Sequence, residues 1–85
     1  MSEDLQKKQE EFFQKARLGV LKFLMDQGGT LNMGDLHDYS FKKYFIQHQG
    51  FSRLMESLVN EGLVTYDALT QDTTISDFGK KAIAG

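Results

Sequence analysis

At Gly62 the apolar pattern of this chain changes period. Upstream, Phe51, Leu54, Met55, Leu58 and Val59 fall at i, i+3, i+4, i+7 and i+8, one face of an amphipathic helix. Glu61-Gly62 stops that helix, and Leu63-Val64-Thr65-Tyr66 starts a strand at once. From Leu63 to Leu69 the residues alternate. Leu63, Thr65, Asp67 and Leu69 take one face, and Val64, Tyr66 and Ala68 the other. Thr70-Gln71-Asp72 reads as a turn and Thr73 to Ile75 as the return strand, which places a hairpin over residues 63–76. Ser76 can cap a last helical turn through Lys81, with Phe78 and Ile83 packing back. Helical and strand periods in so short a chain imply one core shared by helices and a small sheet.

Towards the N-terminus, residues 2–27 read as one long helix. Ser2 is a suitable cap, and Glu3 and Asp4 put negative charge in the first turn. Leu5, Phe12, Phe13, Ala16, Val20, Phe23 and Leu24 mostly recur at helical spacing, and Gly28-Gly29 ends the run. The first half of this helix is sparser in apolar residues. Its Lys7-Lys8 and Glu10-Glu11 pairs suit a solvated face. Thr30-Leu31-Asn32 is a short extended piece, the expected first strand of a three-stranded sheet. Asn32 can cap a second helix, with Asp35 as the acid three residues on. That helix carries Met33, Leu36 and then Phe41, Tyr44 and Phe45; it runs to about residue 46 or breaks at Ser40. Gln47-His48-Gln49-Gly50 reads as the turn before the amphipathic helix. The expected core is Phe23, Leu24, Leu36, Leu54, Met55, Leu58, Leu63, Val64 and Phe78.

Composition narrows the possible functions. The chain has 85 residues, 40% of them hydrophobic, with seven Phe and three Tyr, enough for one modest core. It has no cysteine, so neither a disulfide framework nor cysteine-ligated zinc is available. Together with a charged N-terminus lacking a long apolar run, this leads us to expect a cytoplasmic protein that does not enter a membrane. The two histidines, His37 and His48, are spaced poorly for a metal, and no cofactor-binding motif occurs. The carboxylates are scattered along helical faces, and no serine sits in a nucleophile-elbow context, so an enzyme is not expected.

The Glu61-Gly62-Leu63-Val64 break, the hairpin after it and the closing Phe78-Gly79-Lys80-Lys81-Ala82-Ile83 resemble the end of a winged helix-turn-helix domain. The general pattern is that of small MarR- and PadR-like regulators. The resemblance implies a mainly α, α+β fold of three helices, a short strand and a C-terminal β-hairpin wing. It implies one domain over residues 1–85. The helix-turn-helix would occupy 30–62, the wing 63–76 and a terminal turn 76–84. The stretch between the second helix and Gly62 is longer here than in the commoner bacterial regulators. In such domains the helix at 50–61 enters the major groove and its N-terminal residues meet base edges.

On that resemblance Gln47, Gln49, Ser52 and Arg53 would face bases, with Ser57 further along. Lys42, Lys43 and Tyr44 would meet phosphate, and the wing, with Gln71 and Thr73, a neighbouring groove or the backbone. The function implied is a sequence-reading transcriptional regulator, its partner duplex DNA. Leu5, Phe12 and Phe13, on the less covered half of the first helix, are the expected homodimer contacts. Charge favours a second reading. The net charge is −2, and Asp67, Asp72 and Asp77 lie on or beside the wing, where they would repel phosphate. A winged-helix module that binds protein instead of DNA is the alternative.

Overall fold

The computed structural model describes the backbone of residues 2–84 and the side chains of residues 4–84. The cap expected of Ser2 and the first-turn acid Glu3 are therefore side chains outside the described ones. Helix α1 spans Ser2–Asp26, strand β1 Thr30–Asn32 and helix α2 Met33–Tyr44. They are followed by α3 (His48–Asn60), β2 (Val64–Asp67), β3 (Asp72–Ile75) and α4 (Asp77–Ala84). The three strands form an antiparallel sheet in the order β1-β3-β2. This is a mainly helical α+β fold.

Each boundary has a local cause. Gly28 and Gly29 close α1 with φ of 101° and 93°, donating their N–H groups to Met25 and Leu24 carbonyls. The Asn32 side chain accepts from the Gly34 N–H at 2.9 Å and caps α2. Gly62, at φ 72°, ends α3 while its N–H and that of Leu63 satisfy the carbonyls of Val59 and Leu58. Ser76 caps α4 by accepting from the Gly79 N–H at 2.9 Å.

The core joins Ala16, Val20, Leu21 and Leu24 of α1 to Leu36 of α2. On the other side lie Phe51, Leu54, Met55 and Leu58 of α3, with Leu63, Val64 and Ile75 from the hairpin. All four of the strictly spaced apolar positions of α3 are buried, whereas Val59 at the edge of the stripe is 42% exposed.

Several expectations change. The turn before α3 is Phe45–Gln47, not residues 47–50. Phe45 takes the left-handed conformation and its N–H bonds the Phe41 carbonyl, which ends α2. Gly50 marks a close approach of Ile46 instead of a turn. Of the two readings of α2 the unbroken one holds, since Ser40 is buried and donates to the Leu36 carbonyl at 2.8 Å. The β2 strand is shorter than the 63–69 pattern suggests. Asp67 accepts from the Leu69 and Thr70 N–H groups and curls the chain at Ala68–Gln71. Strict alternation is also lost, since Leu63 and Val64 are both buried.

Another change is Phe78, expected in the core but 62% exposed. Its neighbour Gly79 takes the inner position, because the turn of α4 lies directly on the Leu63 carbonyl and leaves no room for a side chain. A terminal helix of eight residues, a fourth, therefore replaces the single helical turn that was expected.

Urea denaturation should show Leu58→Ala losing about 2–5 kcal/mol as a central core truncation. Gly79→Ala, whose Cβ would collide with the Leu63 backbone, should lose about 1–3 kcal/mol. Phe78→Ala should stay within about 0.5 kcal/mol of the parent. Equal losses for Phe78→Ala and Gly79→Ala would contradict this packing.

Candidate nucleic-acid interface

Helix α3 presents an outer face and two flanks. With its apolar stripe turned to the core, Gln49, Glu56 and Asn60 lie on the opposite side, and all three are exposed. Gln47 is the extended cap residue, exposed and without a side-chain cap bond, and no acid occupies the first turn. The N-terminal end of the helix therefore keeps exposed polar side chains beside its partial positive charge.

One flank faces α1. Arg53 is exposed but leans over the Phe13 ring, its guanidinium carbon 5.8 Å from the centroid. Ser57 is half-buried and donates to Glu61 at 3.4 Å. Glu61 pairs with Arg17, which also donates to Gln14 at 2.8 Å. Arg17 is buried on α1, and burial pushes its guanidinium below the ordinary value. These contacts make a structural tie between α1 and the C-terminal end of α3. They occupy Ser57, which was expected at the DNA face.

The other flank faces α2 and the hairpin. Ser52 lies here, on the edge of a groove of about 640 Å³ bounded by α2, α3, Tyr66 and Gln71. His37 and His48 meet edge to face at 5.8 Å inside this region, and His37 also rests on Phe51 at 4.9 Å. The Nε2 atom of His37 is shielded from solvent and has no hydrogen-bond partner.

The remaining expected residues scatter. Lys42 and Lys43 are exposed in the last turn of α2, Lys42 paired with Asp38 at 3.0 Å. Tyr44 is half-buried. It stands edge-on to Phe12 and Tyr39, both at 6.2 Å, with its hydroxyl against Gly19, so it packs α2 on α1 instead of reaching outward. Burial and the neighbouring Tyr44 raise the Tyr39 phenol above its ordinary value, and Tyr39 in turn stacks on Phe23 at 3.8 Å.

Thr73 has no exposed surface. It belongs to the central strand, its hydroxyl 4.0 Å from the Met33 sulfur, and it cannot touch a nucleic acid. Gln71 is exposed at φ 63°, and its carbonyl accepts from the Met33 N–H at 2.8 Å. It therefore belongs to the groove beside α2 as well as to the hairpin turn. Leu69, in the hairpin turn, is 96% exposed. On α1, Leu5 and Phe12 are 60% and 49% exposed, while Phe13 is partly covered by the core and by Arg53.

The sequence reading missed the groove. The groove draws Met33, His37, Met55, Val59 and Tyr66 from three separate elements, and no single period joins them. Glu56 was legible: it is the one acid on α3, on the face away from the apolar stripe.

Among the described residues no helix is long and apolar enough to cross a membrane. No protein-family model matches the chain, and no curated protein matches it. A solved structure of a candidate transcriptional regulator protein from Pseudomonas aeruginosa PA01 superposes on 96% of this chain with a TM-score of 0.66 and 16% identity. The chain spans 62% of that protein's length. At this identity the likeness establishes a shared fold, the mainly helical α+β arrangement described above.

The Arg17–Glu61 tie has a direct test. Glu61→Ala leaves a buried guanidinium without its carboxylate and should cost about 1–3 kcal/mol in urea denaturation. Glu61→Gln, which keeps an acceptor, should cost less. Equal losses would mean that the charge is not what matters.

Proposed function

We propose that this chain is a winged-helix regulator of transcription that reads duplex DNA as a homodimer in the cytoplasm, a binding protein and not an enzyme. The observation that supports it best is the outer face of α3. It is exposed along its length, has no acid in its first turn, and lies beside a hairpin in a fold shared with a candidate regulator. On this reading Gln47, Gln49 and Arg53 meet base edges, with Ser52 at the margin. Lys43, and Lys42 when it releases Asp38, contact phosphate, and the hairpin turn with Gln71 lies along the backbone. Two copies join through the exposed half of α1, where Leu5 and Phe12 supply the apolar contact.

The alternative, a module that binds protein, draws support from Glu56 in the middle of that outer face. Asp67 and Asp72 are also directly opposite each other at the hairpin end, a pairing that adds negative charge where a wing would approach phosphate.

Fluorescence anisotropy with mixed duplexes at two salt concentrations separates the readings. On the DNA reading, binding weakens with salt. Arg53→Ala costs about 1–3 kcal/mol and relaxes specificity, whereas Lys43→Ala weakens all sequences alike and lowers the salt slope by about one. Glu56→Gln tightens binding to every duplex. Absence of duplex binding at low salt, for the parent and Glu56→Gln alike, would discard this reading in favour of the protein-binding module. Sedimentation should show a dimer that Leu5→Asp dissociates without loss of helical signal; a monomeric parent at high micromolar concentration would end the dimer proposal.

A further inference from the structure

The groove between α2, α3 and the hairpin has the proportions of a small-molecule site. Its volume of about 640 Å³ falls within the range of roughly 300–1,000 Å³ usual for such sites. Its walls are mainly apolar and aromatic, from Met33, Phe51, Met55, Val59 and Tyr66. The two methionines add a surface that adapts to a ligand's outline.

The charge of the lining selects the ligand. No lysine or arginine lines the groove, and its single carboxylate, Glu56, makes no salt bridge among the described residues. An anion entering here would meet repulsion and no counter-ion, whereas a cation would gain Glu56 and an aromatic lining that includes Tyr66. His37 and His48 add two further rings to the lining.

We propose that this groove binds a planar aromatic amine carrying a positive charge. The ring lies between the Met55–Val59 flank of α3 and Tyr66, and the amine pairs with Glu56 at the rim. The occupant touches both α3 and the hairpin and so braces one against the other. Binding does not depend on whether the chain reads DNA.

The test is a fluorescence titration of the full chain, without nucleic acid, using three compounds on one ring frame. These are 9-aminoacridine as the cation, acridine as the neutral form and acridine-9-carboxylate as the anion. We expect affinity to fall in that order. Glu56→Gln should weaken 9-aminoacridine by about fivefold, as for one partly exposed ion pair, and leave acridine unchanged. Val59→Lys, at an exposed position that the fold tolerates, should weaken 9-aminoacridine at least about tenfold by placing a cation in the groove. The proposal is overturned if 9-aminoacridine shows no saturable binding, if the carboxylate binds as tightly as the amine, or if Val59→Lys changes nothing. Because no duplex is present, none of these outcomes bears on the DNA reading.

Discussion

The chain beyond Gly62 is organised by the backbone around Leu63. The Leu63 carbonyl accepts from the Ser76 N–H at 3.0 Å and is covered by Gly79. The Ser76 hydroxyl donates to the Gly62 carbonyl at 2.6 Å and accepts from the Gly79 N–H. The end of α3, both ends of the hairpin and the start of α4 therefore meet at one point. A further bond, from the Ile75 N–H to the Gly29 carbonyl at 2.8 Å, fixes the same strand end to the turn after α1. The hairpin consequently leaves α3 at a set angle, since no loop intervenes to absorb a change. The groove beside α3 takes its shape from that angle.

The division of labour on α3 follows from what its two flanks touch. Towards α1, Arg53 lies over Phe13, and the tie of Ser57 to Glu61 and Arg17 consumes polar groups that an isolated helix would offer to a partner. Towards α2, apolar surface is left open. Arginine suits the closed flank, because its guanidinium stays charged when buried and forks between two acceptors, here Gln14 and Glu61. Structural polarity is thus concentrated on one side of the helix and unfilled space on the other.

The parts of this fold legible in the sequence are those fixed by neighbours along the chain. The apolar stripe of α3, the caps at Asn32 and Ser76 and the glycine stops at 28, 29 and 62 each need only a few adjacent residues to be recognised. What could not be read depends on contacts between distant segments. Phe78 and Gly79 exchange roles because α4 lies on the Leu63 carbonyl, a contact invisible to hydrophobicity. Thr73 reads as a polar wing residue, yet β3 pairs on both sides and places it in the core. Tyr44 reads as a free phenol beside two lysines, yet the missing side chain of Gly19 on α1 admits its hydroxyl. Of the candidate interface, the exposed polar positions at the start of α3 were legible; the groove, assembled from three elements, was not.

On the proposed reading, charge sets the terms on which such a surface meets DNA. Each phosphate neutralised by a lysine or arginine contributes about 0.9 to the salt slope. Here Lys42 is paired with Asp38 and Arg53 is stacked on Phe13, so the cations free to act beside α3 are few. Glu56 opposes them from the outer face itself. A single copy then depends on base-edge contacts, each worth about 1–3 kcal/mol in discrimination, with little electrostatic attraction to hold it on the duplex. Joining two copies changes this balance without changing either surface. The second half-site is engaged at the effective concentration set by the first, and the two weak contacts reinforce each other. On the proposed reading, the exposed half of α1 matters as much to DNA binding as the helix that enters the groove, because the sparse cations of one copy are sufficient only when a second copy is held beside it.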